Sequence, residues 1–359
     1  MLLELAGENL RNLRPFAITP GQGVNVVVGR NAAGKTSLLE AIYILSLGRT
    51  FRAARLDEAV RSGCDEAWVR GRVRDRASTH ASRLGVARSK GQTICRIDGH
   101  NVSSAAELAR HLPVQILHPD SHRLLSGGPA HRRAFLDWGC FYQEARFFSV
   151  WTRFRRALHQ RNAALKQRGD TRLLAGIETE FCLAAEQVDA IREEYVQGLR
   201  QSLGRLDALW PADSPWELEY RRGWSADRSL ADALVTEREQ ARRVGHSLAG
   251  PQRAELVVRS RGERVSTTFS RGQLKRAAAA LLLSQTLAFE HATARDVLML
   301  VDDLPSELDS EAREVLLQTL AERQRQCFVT ALSPKDLDMK AIAEHRMFHV
   351  EHGLLSELV

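Results

Sequence analysis

No run in the 359-residue chain approaches the 18 or so consecutive apolar residues that a membrane-spanning helix needs. The opening stretch carries Glu4, Glu8 and Asn9 where a secretory signal would be basic and then apolar, so a cytoplasmic protein is expected. Cysteine is scarce: Cys64, Cys95, Cys140, Cys182 and Cys327 are odd in number and none forms a CxxC pair, which excludes that kind of zinc or dithiol redox motif. They read as reduced, partly buried small hydrophobes. Lysine is rarer than its charge class suggests, with 6 residues among the 51 Lys and Arg.

With 44% hydrophobic residues the chain can bury a sizeable core, and its length fits two domains or one large domain carrying an insertion. A formal charge of +7 points to an acidic partner, most commonly nucleic acid. Arginine clusters occur at Arg70 to Arg74, Arg132-Arg133, Arg153 to Arg156 and Arg259 to Arg264. Each by itself reads as solvated surface before it reads as a phosphate contact.

Along the chain, Val24 to Val28 is an apolar run between Gly23 and Gly29, which suits a buried parallel strand, and the residues from Gly34 have helical spacing. Alternation at Trp68 to Val73, Ala81 to Ala87 and Thr93 to Ile97, with a turn at Asp98-Gly99, predicts an antiparallel sheet. From Pro129 to Leu209 apolar residues recur every three or four, predicting two long helices divided at Gly169-Asp170, with Pro211 ending the second. A short strand or linker at Trp216 to Tyr220 and a helix from Arg228 to Val244 follow. This helical insertion has no internal repeat and no low-complexity segment. The last third alternates again: strands Leu256 to Arg259 and Val265 to Phe269, a helix from Gly272 to Glu290, and strand Val297 to Val301. A helix from Ser310 to Arg325 and strands Cys327 to Leu332 and Met347 to Val350 complete it. The expected fold is α/β with a mainly parallel sheet, divided as 1–112 and 246–359 for one lobe and 113–245 for an inserted helical lobe.

Gly29-Arg30-Asn31-Ala32-Ala33-Gly34-Lys35-Thr36 matches GxxxxGK[ST] directly after an apolar strand and at a helix start. Backbone N–H groups and the partial positive charge of the helix N-terminus cradle phosphate there. Lys35 neutralises phosphate, and the Thr36 hydroxyl, followed by Ser37, suits Mg²⁺ ligation. Val297 to Val301 runs into Asp302 and Asp303, the pattern of a Walker B strand: Asp302 for Mg²⁺ and Asp303 as general base. Phe269-Ser270-Arg271-Gly272-Gln273 opens a helix upstream of it and resembles the LSGGQ signature of ABC-type ATPases. A hydroxyl and free N–H groups at a helix start can hold an anion, as that signature holds the γ-phosphate of a second subunit. Ser306-Glu307-Leu308-Asp309 resembles the D-loop of such dimers.

Further segments narrow the resemblance: Glu8 to Leu13, Ser37 to Tyr43, Gly48 to Arg52, Gly127-Gly128-Pro129 with Arg132 to Asp137, and Gly250-Pro251-Gln252-Arg253. Together they resemble the RecF family of bacterial DNA-repair ATPases over essentially the whole chain. The resemblance implies an ABC-type ATPase head with a helical second lobe. It implies ATP and Mg²⁺ as cofactors and an ATP-dependent homodimer that clamps duplex and gapped DNA. It also implies RecR and RecO as partners in loading RecA onto strands coated by single-strand-binding protein. Roles carried over are Lys35 and Thr36 for triphosphate and Mg²⁺, Asp302 and Asp303 for the Walker B pair, and Ser270 for the trans contact. Arg11 and Asn12 match positions near the nucleotide, and Gln115 and Asp120, after a strand beginning at Pro113, are alternative candidates for the Q-loop.

Three departures stand out. Ala32 occupies a loop position usually Gly, Asp303 is a methylene shorter than the Glu of transporters, and Thr330-Ala331 stands where transporters carry a switch His. The last two predict slow hydrolysis. A transporter ATPase subunit shares all three motifs, but the basic charge and the long helical insertion disfavour it. A chromosome-organising SMC protein needs far longer heptad arms than this chain holds. The Asp302-Asp303 pair behind a full phosphate loop argues against a DNA-binding module without enzymatic activity.

Overall fold

The computed structural model of the chain describes all residues except 76–77, 168–170, 212–215, 322–324, 338–341, 343–344 and 359. Two compact units emerge, one formed by Met1–Ser121, Ala208–Trp210 and Lys275–Val359, the other by His122–Asp207 and Pro211–Leu274.

In the first unit, the strand Val24–Val28 is buried at every position and pairs in parallel with Cys327–Ala331 on one side and His345–Glu351 on the other. Parallel pairing continues through Leu298–Val301 to Val114–Leu117, and Leu354–Leu358 closes the opposite edge as an antiparallel hairpin. A second sheet is antiparallel, built on Leu2–Glu8, Glu66–Arg74, Ala81–Ser89 and Gln92–Ile97. Asp98 and Gly99 both have positive φ, 49° and 86°, which is the geometry a tight two-residue hairpin requires between Ile97 and His100.

The helix Lys35–Leu47 fills the space shared by both sheets. Its Leu38, Leu39, Ile42 and Leu45 belong to one core with Leu2, Leu5, Val69 and Val86 from the antiparallel sheet and Val27, Leu300 and Phe328 from the parallel one. Each such side chain contributes roughly 1.5–3 kcal/mol by burial, so the helix that begins at the phosphate loop is rigidly held. Contact is close enough that a Cβ at Gly71 would stand 2.6 Å from Leu45 Cδ2 and 2.9 Å from the Glu4 carbonyl.

The second unit holds the helices Pro129–Gln143, Phe147–Lys166, Thr171–Leu203 and Leu230–Val244, with a three-stranded sheet in which Trp216–Arg221 pairs antiparallel with Glu255–Ser260. Two of the segments quoted for the family resemblance, Arg132 to Asp137 and Gly250 to Arg253, lie close together here. Arg132 bonds both oxygens of Glu255 at 2.6 and 2.9 Å, Arg133 donates to the Ala254 carbonyl, and buried Arg192 joins Asp137 to the Pro251 carbonyl.

Several expectations shift. Val114–Leu117 lies in the parallel sheet and not in the helical insertion, because it pairs in register with the distant Leu298–Val301. Signature residues 270–273 fall in the second unit, so the compact units divide the chain at other points than 113 and 245. The break expected at Gly169-Asp170 lies outside the described residues, and an additional break at Glu144 to Arg146 makes three helices of the expected two. Val265–Thr268 is a helical turn where a strand was expected: the Thr267 and Thr268 hydroxyls both donate to the Arg264 carbonyl, a local bond that offsets β-branched preference. Ala105–His111, capped by Ser104, and the hairpin strand Leu354–Leu358 went unread in the sequence.

Candidate nucleotide-binding site

The phosphate loop turns between strand Val24–Val28 and helix Lys35–Leu47, and its glycines have positional reasons. Gly29, at φ 155°, would place a Cβ 2.3 Å from the Val350 carbonyl, and Gly34, at φ 127°, would place one 2.9 Å from Leu13. Ala32 is held at φ 61°, a left-handed conformation that disfavours any Cβ. The Asn12 amide donates to the Ala32 carbonyl at 2.8 Å while its oxygen accepts from Ser37 Oγ at 2.9 Å, so Asn12 straps the loop to the first turn of the helix.

Lys35 Nζ lies inside the loop, donating to the carbonyls of Gly29 at 2.7 Å and Arg30 at 3.1 Å. Burial lowers its pKa from the usual lysine value, opposed by the nearby Asp303 and Asp302 carboxylates. The Thr36 hydroxyl stands 3.0 and 2.9 Å from the two oxygens of Asp302. Asp302 is buried, which raises its pKa, and the hydroxyls of Thr330 and Thr36 oppose that rise. Asp303 adopts φ 53°, ψ 49° at the start of the helical turn Leu304–Glu307, a strained conformation for a residue with a side chain. Its N–H donates to Thr330 Oγ1 at 2.7 Å, and the same hydroxyl donates to Asp302 at 2.9 Å.

These residues open on a cavity of about 780 Å³, also lined by Arg11, Arg52, Glu58, Val60, Arg61, Ser62 and Pro119. Its volume and its mix of an apolar wall, cations and a phosphate loop suit a nucleoside triphosphate. A divalent cation fits the donor set as well. A hydroxyl and a buried carboxylate within hydrogen-bond reach of each other are hard oxygen ligands, and Mg²⁺ is typically held by one or two carboxylates plus substrate phosphates. Among the described residues no group of three or more His, Cys, Asp or Glu forms a separate metal cage.

Residues 1–355 match the protein-family model described as RecF/RecN/SMC N terminal domain. The DNA replication and repair protein RecF of Thioalkalivibrio sulfidiphilus (strain HL-EbGR7) is 41% identical over 353 residues, covering 98% of each chain. The chain belongs to the RecF family of DNA replication and repair proteins. RecF of Stutzerimonas stutzeri (strain A1501) is 40% identical, with 99% of this chain and 97% of that one covered. The solved structure of "the recombination mediator protein RecF-ATPrS in RecFOR pathway" superimposes with a TM-score of 0.89 at 25% identity, over 100% of this chain and 98% of the other. An Smc head domain from Pyrococcus furiosus shares the fold alone, at TM-score 0.59 and 14% identity. The ABC-type ATPase head fold is therefore that of RecF and Smc heads.

Of the residues nominated from sequence, Arg11, Asn12, Asn31, Ala32, Gly34, Lys35, Thr36, Ser37, Asp302 and Asp303 line this one cavity. Arg30 contributes its carbonyl to Lys35, and Ala33 is buried beneath the loop. The residues expected to form the signature open the helix Arg271–Thr293 as a reciprocal cap: the Ser270 N–H donates to Gln273 Oε1 at 2.8 Å and the Gln273 N–H to Ser270 Oγ at 3.3 Å. Ser270, Arg271 and Gly272 are exposed, and a Cβ at Gly272 would meet no atom within 4 Å. In the segment expected to be a D-loop, Ser306 is exposed and Asp309 caps the helix Ser310–Ala321 through the Ala312 N–H at 2.9 Å.

Neither Q-loop candidate lines the cavity. The Gln115 amide is committed to the core, donating to Gln285 at 2.6 Å, and Asp120 is exposed beside Pro119, which does line it. Sequence reading missed two residues that organise the site. Thr330 was read only as the absence of a switch His. Glu40, 1% exposed, bonds Arg11 through both oxygens at 2.9 and 2.8 Å, accepts from Thr50 and pairs with Arg52 at 3.4 Å. A carboxylate amid Leu38-Leu39-Glu40-Ala41-Ile42 was the available signal, since a buried charge needs partners.

Proposed function

We propose that this RecF-family protein binds ATP with Mg²⁺ in the cavity at Lys35, closes into a homodimer through Ser270 to Gln273, and in that state clamps duplex and gapped DNA during recombinational repair. The observation that carries the reading is the convergence of Lys35, Thr36, Asp302 and Asp303 on one cavity. It is joined by a signature segment whose Gly272 is exposed, with no atom within 4 Å of where a Cβ would stand. The DNA replication and repair role of close relatives and the recombination-mediator description of the ATPγS-bound RecF support the DNA half. RecR, RecO and the loading of RecA at gaps belong to the same reading, as does a cytoplasmic location; no described helix is long and apolar enough to cross a membrane.

Loop N–H groups and Lys35 hold the β- and γ-phosphates, and the N-terminus of the helix Lys35–Leu47 adds a partial positive charge of about half a unit. Thr36 and Asp302 would hold Mg²⁺, which would supply neutralisation of phosphate charge. Arg11, held by Glu40, and Asn12, strapped to the loop, line the wall on which the rest of the nucleotide lies. Asp303 orients the attacking water and takes its proton. Thr330 stands where transporters place a His, and its hydroxyl is already committed to Asp302 and the Asp303 N–H, so it adds no second base. Hydrolysis is accordingly slow and times release.

Size-exclusion and DNA binding with and without ATP test this on wild type, Lys35→Met and Ser270→Arg. Lys35→Met loses nucleotide binding. Ser270→Arg keeps nucleotide and stays monomeric, and Ser270→Arg dimers of normal strength would refute the trans signature. Turnover in the transporter range would refute slow hydrolysis.

A further inference from the structure

Three residues beyond Gly272, on the helix Arg271–Thr293, Lys275 extends to the D-loop. Its Nζ donates to the Ser306 carbonyl at 2.9 Å and pairs with Glu307 Oε1 at 3.0 Å. The Glu307 side chain is only 3% exposed and that of Lys275 21%, so the carboxylate is buried and the pair partly so. Next to it, Arg276 pairs with Glu311 at 3.2 Å, on the helix that follows the D-loop.

From Lys275 an unbroken hydrogen-bonded path leads to the phosphate loop. The Ser306 N–H donates to the Asp303 carbonyl at 2.9 Å, closing the turn whose carbonyl end Lys275 grips. The Asp303 N–H donates to Thr330 Oγ1 at 2.7 Å, which donates to Asp302 Oδ1 at 2.9 Å, which accepts from Thr36 Oγ1 at 3.0 Å. Both backbone groups of Asp303 are thus fixed, one through Ser306 and the other through Thr330. Since Asp303 is in the left-handed region, its backbone does not rest in this position by preference and must be held.

We infer that Lys275 is a positioning residue that ties the signature helix to the D-loop turn and, through Ser306 and Asp303, sets where the Asp303 carboxylate stands over the phosphate loop. Engagement of the signature by a second copy's ATP then reaches this copy's Walker B pair along the helix, coupling hydrolysis in one site to occupancy of the other. The inter-copy part rests on the ATP-closed dimer proposed above; the link from Lys275 to Asp303 lies within one chain.

The test compares wild type, Lys275→Arg and the double variant Lys275→Met/Glu307→Gln, which leaves no carboxylate buried without its cation and so protects folding. Four quantities are read: the urea midpoint, affinity for a fluorescent ATP analogue, hydrolysis per ATP-induced dimer, and amide hydrogen exchange at Asp303 and Ser306 in the nucleotide-free monomer. The expected result for the double variant is a urea midpoint and ATP affinity near wild type, exchange at least tenfold faster at both amides, and hydrolysis per dimer at least tenfold slower. Lys275→Arg restores most of both. Unchanged exchange and unchanged hydrolysis per dimer overturn the inference, as does a loss that tracks ATP affinity alone. If wild type forms no dimer with ATP, the clamp fails and the coupling between copies fails with it. Faster exchange at Asp303 then still upholds the link within the chain, and unchanged exchange removes that too.

Discussion

Ala32 offers a direct measurement of the strain stored in the phosphate loop. At φ 61° it adopts a left-handed conformation that costs an L-residue about 1–2 kcal/mol and a glycine nothing. Glycine loses about 0.5–1 kcal/mol more conformational freedom than alanine on folding, so the two terms nearly offset and the strain term wins. Ala32 is exposed and its carbonyl, not its methyl, makes the contact with Asn12, so almost no burial is lost with the side chain. Ala32→Gly is therefore expected to stabilise the nucleotide-free protein by about 0.5–1 kcal/mol, a rise in Tm of about 1–4 °C in a domain of this size. Ala32→Val, whose β-branch crowds the same backbone further, is expected to destabilise by more than about 1 kcal/mol. Urea denaturation with unchanged m-value reads both. An Ala32→Gly protein less stable than wild type, or a neutral Ala32→Val, would refute the reasoning.

Other outcomes follow from the same geometry. Thr330→Val removes the acceptor of the Asp303 N–H and a donor to Asp302, and is expected to cost about 1–3 kcal/mol of stability and to slow hydrolysis more than it weakens ATP binding, read by urea titration and single-turnover assays. Asp302, whose folded pKa is raised above the unfolded value chiefly by burial, opposes folding once ionised. In the window between those two values the folded state binds more protons than the unfolded, so this contribution to stability falls as pH rises. Asp302→Asn is accordingly expected to leave the nucleotide-free protein at neutral pH as stable as wild type or more so, while losing Mg²⁺-dependent hydrolysis; a lower Tm would contradict this. Gly71→Ala inserts a methyl 2.6 Å from Leu45 and 2.9 Å from the Glu4 carbonyl, and is expected to cost about 1–3 kcal/mol in a thermal melt with nucleotide contacts untouched.

The motifs of the candidate site were legible because they are local. Phosphate binding needs glycines, a lysine and a hydroxyl at fixed offsets around one strand-to-helix turn, and Gly29 to Thr36 carry them within one short segment. Strand Val24–Val28 and the helix after it could be read for the same reason, as could Asp302-Asp303 ending an apolar strand and Ser270 opening a helix. Even the strain at Ala32 was visible as a departure from glycine before φ 61° was known.

Tertiary structure decided what depends on partners remote in sequence. The strand expected from Pro113 joined the parallel sheet by pairing with Leu298–Val301, a partner that nothing in its own four residues names. Gln115 was spent in the core on Gln285, and Thr330 acquired a role because two parallel strands bring its hydroxyl between Asp302 and Asp303. The sequence by itself determined which groups form the phosphate-loop motif, since each needs only its neighbours along the chain. Where Asp303 is held, and that Lys275 reaches the D-loop to hold it, depended on contacts across the fold whose geometry exists only once both sheets and their helices have packed.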